Sequence, residues 1–581
     1  MKIQRKNHLK FIIKYLKTQK FMVSLLILIS LANIGMQLIN PQISRYFLDE
    51  ATKWKVGKNL TIAALMFILV AFFAQIFSVL VSYIGQKVAW KATNDIRVDL
   101  IEHCIDLDMS FHKEHKPGEL IERVDGDVSQ LFDLFSNIII NMMNNLLLLI
   151  GTLIILFREN LLIGFSLTVF SIFAIYVLWN VKSKTEGDWV KASEANAEFY
   201  GFIGESISST EDISSSGAGE YIMNKFYDIS RKIFPIIRKA DLTWSTLWSA
   251  TLIIFSAGTV ISFSGSLYLW KKGLITIGTV YLIFNYTQTL KRPIEQIRVN
   301  IQQLQSAGAS VVRVSDLFNV ESEIKYGKEK LEEDKPLKIE FNNVDFQYEK
   351  GVDVLKNVSF EVERGKVLGI LGRTGSGKTT LARLIVRMYD VKNGEILINN
   401  KNITSITEEE LTKNIAYVTQ DVQIFTATVR DNITMFKKDI NDEEIIKVIY
   451  DLGFKKWYEG LSNGLDTKLE MGNKSLSAGE AQLLAFVRIF LRNPKLIILD
   501  EATSRIDSLT EKLIENALDK LLQHRTCIII AHRLSTLNRA DDILLLNDGK
   551  IVETGERKSL LDDESSQYYN LIQQGIREVL V

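Results

Sequence analysis

Gly372-Arg373-Thr374-Gly375-Ser376-Gly377-Lys378-Thr379 packs three glycines, a lysine and two hydroxyl types into eight residues, with Thr380 directly behind. Glycines at this spacing let the backbone curl so that successive N–H groups point at one anion. A helix starting at the same place adds partial positive charge. Lys378 supplies a point charge for β- and γ-phosphates, and the Thr379 hydroxyl can ligate Mg²⁺. Val367 to Leu371, just before, is a short apolar run that reads as a buried strand. An apolar periodic stretch without breakers follows to Tyr389 and reads as a helix. Strand, turn and helix together distinguish a triphosphate-binding loop from an ordinary Gly/Ser turn.

Other residues in the same half could do chemistry, each weakly on its own. Leu496-Ile-Ile-Leu-Asp500-Glu501 reads as a buried strand ending in two acids, and Cys527-Ile-Ile-Ile-Ala-His532 as a buried strand ending in a histidine. Cys104 and Cys527 lie in no metal-like spacing, so both are expected to be buried free thiols in cytosolic segments. Lys and Arg number 69 and so do Asp and Glu, so net charge gives no support for nucleic acid as a partner.

The elements that must position these residues divide sharply. At 581 residues more than one domain is expected. Long uncharged runs are confined to the first half, at 21–44, 60–86, 134–157, 161–181, 242–270 and, marginally, 273–290. About 20 apolar residues cross the hydrocarbon core, so these read as six membrane spans. Ahead of them, residues 2–20 are basic and free of acid, with Leu9, Ile12, Ile13 and Leu16 on one face: an amphipathic helix on an anionic surface. The following run is too long for a secretory signal, and no small-residue cleavage site closes it. Lys and Arg are concentrated in the N-terminus and in 87–130 and 182–241. The positive-inside rule therefore puts these and the second half in the cytoplasm.

The two long connections are stiff. Lys87 to Ser110 has neither Gly nor Pro, and a continuous helix there reaches roughly 35 Å beyond the bilayer at 1.5 Å per residue. A turn is expected around Phe111–Gly118, where a soluble domain could touch it, and a second around Ser214–Gly219. Within the spans, Asn33, Gln37, Gln75, Asn137, Asn141, Asn144, Asn145, Asn285 and Gln288 are polar without charge. They are expected to face the bundle interior or a cavity, as interhelical glue or substrate lining.

From Leu337, where Leu337 to Tyr348 and Val354 to Val362 read as strands after a charged linker at 321–335, the chain resembles the nucleotide-binding domain of ATP-binding cassette transporters. With the six spans in front, the whole chain resembles a half-size exporter. The implied fold is an all-α six-helix transmembrane domain with long cytoplasmic helical extensions, followed by an α/β P-loop nucleotide-binding domain. The expected boundaries are 1–20, 21–316, a linker 317–336, and 337–581. ATP and Mg²⁺ are the implied cofactors. Tyr348 matches the adenine-stacking aromatic, and Gly372 to Thr380 the phosphate loop. Gln420, in Ala416-Tyr-Val-Thr-Gln-Asp421, matches the residue reaching metal and water. Asp500 would hold Mg²⁺ alongside Thr379 and Gln420, Glu501 would polarise the attacking water, and His532 would contact the γ-phosphate. Ser504 to Asp507 matches the loop at the dimer interface.

One motif departs from the family. The signature Leu-Ser-Gly-Gly-Gln is here Leu476-Ser477-Ala478-Gly479-Glu480, and the next residues, Ala481-Gln-Leu-Leu, lack the usual Arg. Ser477 and Gly479, which serve the nucleotide held by the other subunit, survive. Ala478 adds a Cβ, and Glu480 adds negative charge near a triphosphate. The chain's own catalytic set is complete while the set it lends is altered, which favours a heterodimer over a homodimer. The expectation is a multi-pass protein of the bacterial inner membrane exporting a drug, lipid or peptide. A homodimeric lipid flippase or a cassette-gated regulator is the alternative. A soluble cassette ATPase would lack the spans, and an importer would usually carry spans and ATPase on separate chains.

Overall fold

The computed structural model describes residues 11, 13–53, 57–331, 335–419, 422–470, 476–500, 508–531 and 534–573. The chain divides into two compact units. One is Met1–Ile105 with Pro117–Val320; the other is Asp106–Lys116 with Glu321–Val581.

The first unit is helical. Its principal helices are α1 (Lys20–Ala51) and α2 (Lys58–Asp106, whose last residue passes into the second unit), then, after the short α3 (Met109–Glu114) of the second unit, α4 (Ile139–Glu159), α5 (Leu161–Ser208), α6 (Thr210–Ser215), α7 (Gly219–Lys271) and α8 (Ile277–Phe318). Among the described residues, Lys20–Ala51, Lys58–Asp106, Pro117–Glu159, Leu161–Val181 and Gly219–Lys271 are long and apolar enough to cross a membrane. The marginal run 273–290 enters α8, which is helical but falls outside that set. On α2, Leu65, Met66, Phe67, Ile68, Phe72 and Phe73 are all exposed. A row that apolar needs lipid or another chain against it, because water would be an unfavourable neighbour.

Helix α2 is unbroken for 49 residues: it runs through the buried Gly85 and continues along the stretch from Lys87 that lacks Gly and Pro. The return carries π-helical turns at Glu122–Asp127 and Leu134–Ile138. Between those bulges and α8 the buried Asp127 accepts from Arg313, Ser310 (2.9 Å) and Arg123 (3.1 Å). The second connection is α6, set off by a kink at Ser209 and a turn at Ser216–Ala218, so its break starts earlier than Ser214. Of the basic N-terminal helix, Leu9 and Ile12 lie outside the described residues. Ile13 is exposed, whereas Tyr15 is buried and donates to Asp99 at 2.8 Å.

The span amides divide. Asn33 and Asn145 are buried, and the Oδ1 of Asn144 is buried without a hydrogen-bond partner. Gln288 donates to Thr259 and Asn285 to Tyr281. Gln37, Gln75, Asn137 and Asn141, expected to face the bundle interior or a cavity, are exposed on this chain. Beside α1 and α2, Ile43, Phe47, Ala63, Phe67 and Tyr281 line an apolar groove of about 440 Å³.

The second unit is α/β. Strands β1 (Ile339–Glu349), β2 (Val352–Val362), β4 (Asn393–Ile398) and β5 (Lys401–Asn402) form an antiparallel sheet ordered β2-β1-β4-β5. Strands β3 (Val367–Leu371), β6 (Ile415–Val418), β7 (Leu496–Asp500), β8 (Thr526–Ile530), β9 (Asp542–Asn547) and β10 (Lys550–Glu556) form a second sheet ordered β10-β9-β3-β8-β7-β6. It is parallel except for the β9–β10 hairpin.

Side chains of β3, β7 and β8 alternate between two cores. Leu368, Ile370, Ile498, Ile528 and Ile530 pack with the antiparallel sheet and with Leu381 and Ile385 of α9 (Lys378–Ile385). Leu371, Ile497, Leu499, Cys527 and Ile529 pack with Leu484, Phe486 and Val487 of α10 (Ala478–Arg492). Burial on both faces explains why these strands read as unbroken apolar runs. Cys527 is a free buried thiol, and burial pushes it up to about 12; Cys104 is free and buried too.

Two expectations need correction here. The helix after the phosphate loop ends at Ile385 rather than Tyr389, because Arg387 turns left-handed (φ 55°). Its buried guanidinium pairs with Asp390 and donates to Lys325 O. The linker is also more ordered than its charge suggested: Gly327 N donates to Ile406 O, Glu329 N to Ser405 O, and Leu331 is buried. Its partners lie some eighty residues downstream.

Candidate nucleotide site

The parallel strands of the second sheet end along one edge, where α/β proteins bind ligands. Register puts Ile370 of β3, Ile530 of β8 and Asp500 of β7 on one level. The loop Gly372–Gly377 leaves that level from β3. Gly372 has φ 152°, and a Cβ there would collide with the Leu546 carbonyl. Gly377 has φ 106°, and a Cβ would come within 2.7 Å of the Leu355 side chain. Only glycine fits either place.

Gly377 caps α9, so the loop delivers its N–H groups to a helix N-terminus. Lys378 is buried, and its Nζ donates to Gly372 O (2.6 Å) and Arg373 O (3.1 Å) across the loop. Ser376 is 3% exposed and its Oγ is buried without a hydrogen-bond partner. An orphaned hydroxyl inside a curl of backbone donors fits an anion ligand, since an unmade buried hydrogen bond costs about 1–3 kcal/mol. Arg373, Thr374 and Gly375 are exposed on the outer turn, and Thr379 is half-buried beside Lys378.

Asp500 is buried and accepts from the Tyr417 hydroxyl at 3.1 Å. Burial, and then the Asp500 charge, push the Tyr417 phenol well up, so it remains a donor. Tyr417 belongs to the stretch that pointed to Gln420, and adjacency of β6 and β7 makes it the functional neighbour the sequence did not single out. Tyr348 lies at the end of β1. Its hydroxyl bonds Thr380 Oγ1 (3.2 Å) and accepts from Arg383 (3.4 Å), which fastens the ring to the first turns of α9. Gln420, Glu501, His532 and the loop 504–507 lie outside the described residues.

At the altered signature, Ser477 caps α10 and forms a reciprocal box with Glu480. Ser477 Oγ accepts from Glu480 N (3.3 Å), and Ser477 N donates to Glu480 Oε2 (2.7 Å). The Glu480 carboxylate is thus turned back onto the helix N-terminus, which favours negative charge. That moderates the repulsion expected from the sequence. Gly479 is buried and Ala478 exposed. Farther along α10, Arg488 donates to Asn432 O and Gln423 O, tying this helix to the segment that follows Gln420; burial lowers its guanidinium to about 10.

The short helix α3 (Met109–Glu114) belongs to the second unit although it lies at the end of α2 in sequence. Its N-cap Asp108 accepts from Ser110 N and Phe111 N, and also from Glu323 N (2.6 Å) and Ser322 Oγ (3.2 Å). Four hydrogen bonds hold the Asp108 carboxyl below its usual range although burial opposes the shift. The turn expected at Phe111–Gly118 falls at His115–Lys116, and this capped helix leads into it.

A phosphate loop in an α/β unit, joined in one chain to several membrane-long helices, defines a membrane-embedded nucleotide-driven machine. Residues 355–504 match the family "ABC transporter" and residues 23–294 the family "ABC transporter transmembrane region". The chain is 30% identical over 574 residues (96% of it, 92% of the relative) to YfiC of Bacillus subtilis (strain 168), described as an uncharacterized ABC transporter ATP-binding protein. It is 30% identical over 580 residues (97% and 98%) to YgaD of the same organism, a putative multidrug export ATP-binding/permease protein. A solved bacterial Atm1-family ABC exporter with ATP bound shares its fold, with a TM-score of 0.80 over 96% of this chain and 98% of that one, at 23% identity. The chain belongs to the ABC transporters, with the exporter arrangement of a helical transmembrane domain followed by a nucleotide-binding domain. It is a multi-pass membrane protein whose ATPase activity is coupled to transport.

Proposed function

We propose that this chain is one half of an ATP-driven exporter of amphipathic or hydrophobic cargo, working by alternating access in a bacterial inner membrane. Six spans, 21–316, would be joined through 317–336 to a cytoplasmic ATPase, 337–581, with the basic N-terminus on the same side. The cradle of Gly372–Lys378, closed on an orphaned Ser376 hydroxyl, carries the nucleotide part of this reading. Lys378 and the loop N–H groups would bind and orient the phosphates. Thr379 and Asp500, with Gln420, would hold Mg²⁺, which neutralises phosphate charge when bound. Glu501 would hold the attacking water and accept its proton, and His532 would steady the γ-phosphate. Each triphosphate would bridge one subunit's loop and the other's Ser477 and Gly479, so binding favours the closed pair and hydrolysis reopens it.

Multidrug names among the relatives, together with spans rich in apolar surface and poor in charge, support the cargo class. The altered signature favours a heterodimer, in which the partner's site is the slower one. Glu501→Gln is expected to abolish hydrolysis at the site this chain completes while ATP binding persists. Radiolabelled ATP trapping and phosphate release measure the two separately, and sustained phosphate release from that site contradicts the role.

A further inference from the structure

Lys113 of α3, 235 residues away in sequence, reaches the Tyr348 ring. Its Nζ lies 4.7 Å from the ring centroid and 3.4 Å from Glu349 Oε1. On the core side the ring meets the buried Phe346 and Tyr389 at near right angles, at 4.8 and 5.1 Å. Lys113, its side chain about half exposed, places its ammonium over the ring. An ammonium is drawn to the negative face of an aromatic ring, and a purine stacking on that ring needs the same face. Both cannot lie in contact with it together.

We propose that Lys113 is a positioning residue that contends with adenine for Tyr348, so that seating the purine releases the arm tip's hold on this corner of the nucleotide site. The inference rests on reading Tyr348 as the adenine platform. It adds a polarity to it: empty, the ring is held by Lys113 of α3; filled, the lysine falls back on Glu349. Since Tyr348 is bonded to Thr380 and Arg383, the exchange is felt at the first turn after the phosphate loop.

A cation–π contact at a half-exposed place corresponds to about two- to fivefold in an equilibrium constant. Binding of a non-hydrolysable, ribose-labelled fluorescent ATP analogue to the full chain in lipid nanodiscs tests it, since the adenine stays unmodified. Lys113→Ala is expected to tighten binding by about two- to fivefold, Lys113→Arg to leave it near the parent value, and the gain to vanish in a Tyr348→Ala background. Misfolding cannot produce tighter binding. Unchanged or weaker binding by Lys113→Ala, with Tyr348→Ala weakening it, overturns the inference and leaves the platform standing. A gain that persists without Tyr348 overturns it as well. If Tyr348→Ala alone leaves affinity unchanged, the platform reading itself fails.

Discussion

At the residue scale, the proposed nucleotide site is a set of groups held by bonds that a bound nucleotide would exchange. Lys378 is parked on two loop carbonyls, Ser376 has a buried hydroxyl to offer, and Asp500 is steadied by Tyr417. Removing the Tyr417 hydroxyl leaves a buried carboxylate short of a donor, and hydrogen bonds to charged groups contribute about 1.5–3 kcal/mol. Tyr417→Phe is therefore expected to destabilise the nucleotide-binding unit by about that amount, read by denaturant unfolding of the detergent-solubilised chain. An unchanged midpoint would mean water substitutes for the phenol. Much of this site could be read in advance, because Gly372 to Thr379 is contiguous and each residue type has one physical use there. Tyr417 and Lys113 could not, since their partners lie 83 and 235 residues away and only the sheet order and the arm tip bring them together.

At the scale of elements, the arm and its tip matter most. The length of α2 was legible because nothing between Lys87 and Asp106 can break a helix. The turn at the tip is present at His115–Lys116, but the helix before it was not legible, although Asp108 is a good N-cap residue, because its other two partners, Ser322 and Glu323, are remote in sequence. Replacing a capping Asp by Ala costs about 0.5–2 kcal/mol. Asp108→Ala is expected to loosen α3 and lower transport per ATP hydrolysed, while ATP binding stays near normal. Paired transport and ATPase assays in proteoliposomes measure that ratio, and an unchanged ratio would count against the tip as a coupling element. The pH dependence has a definite sign. Because the folded carboxyl is held below its ordinary value, this anchoring is fully present above the unfolded Asp range and is lost as pH falls through the lowered value. The protection of the Ser110 and Phe111 amides, taken relative to their intrinsic exchange rates at each pH, should therefore fall only on the acidic side.

At the scale of the whole molecule, one chain carries apolar helices that need lipid and an ATPase half whose signature, in the proposed function, serves another subunit. The altered Ala478 and Glu480 predict an asymmetric pair. Purified alone and reconstituted, the chain is expected to show ATP turnover at least tenfold below that of the assembly with its partner. This factor of ten corresponds to about 1.4 kcal/mol in the barrier. Brisk cooperative turnover by the chain alone would favour a homodimer, and the Ser477–Glu480 capping box describes how such a signature could remain ordered. The central claim is that ATP use in the second half drives cargo movement through the first. Its most direct measurement is ATP-dependent uptake of a fluorescent amphipathic dye into inverted membrane vesicles, with and without Lys378→Ala in every copy and no other subunit able to hydrolyse ATP. Uptake that falls to the level of vesicles lacking the protein is the predicted result; uptake that continues undiminished contradicts the account.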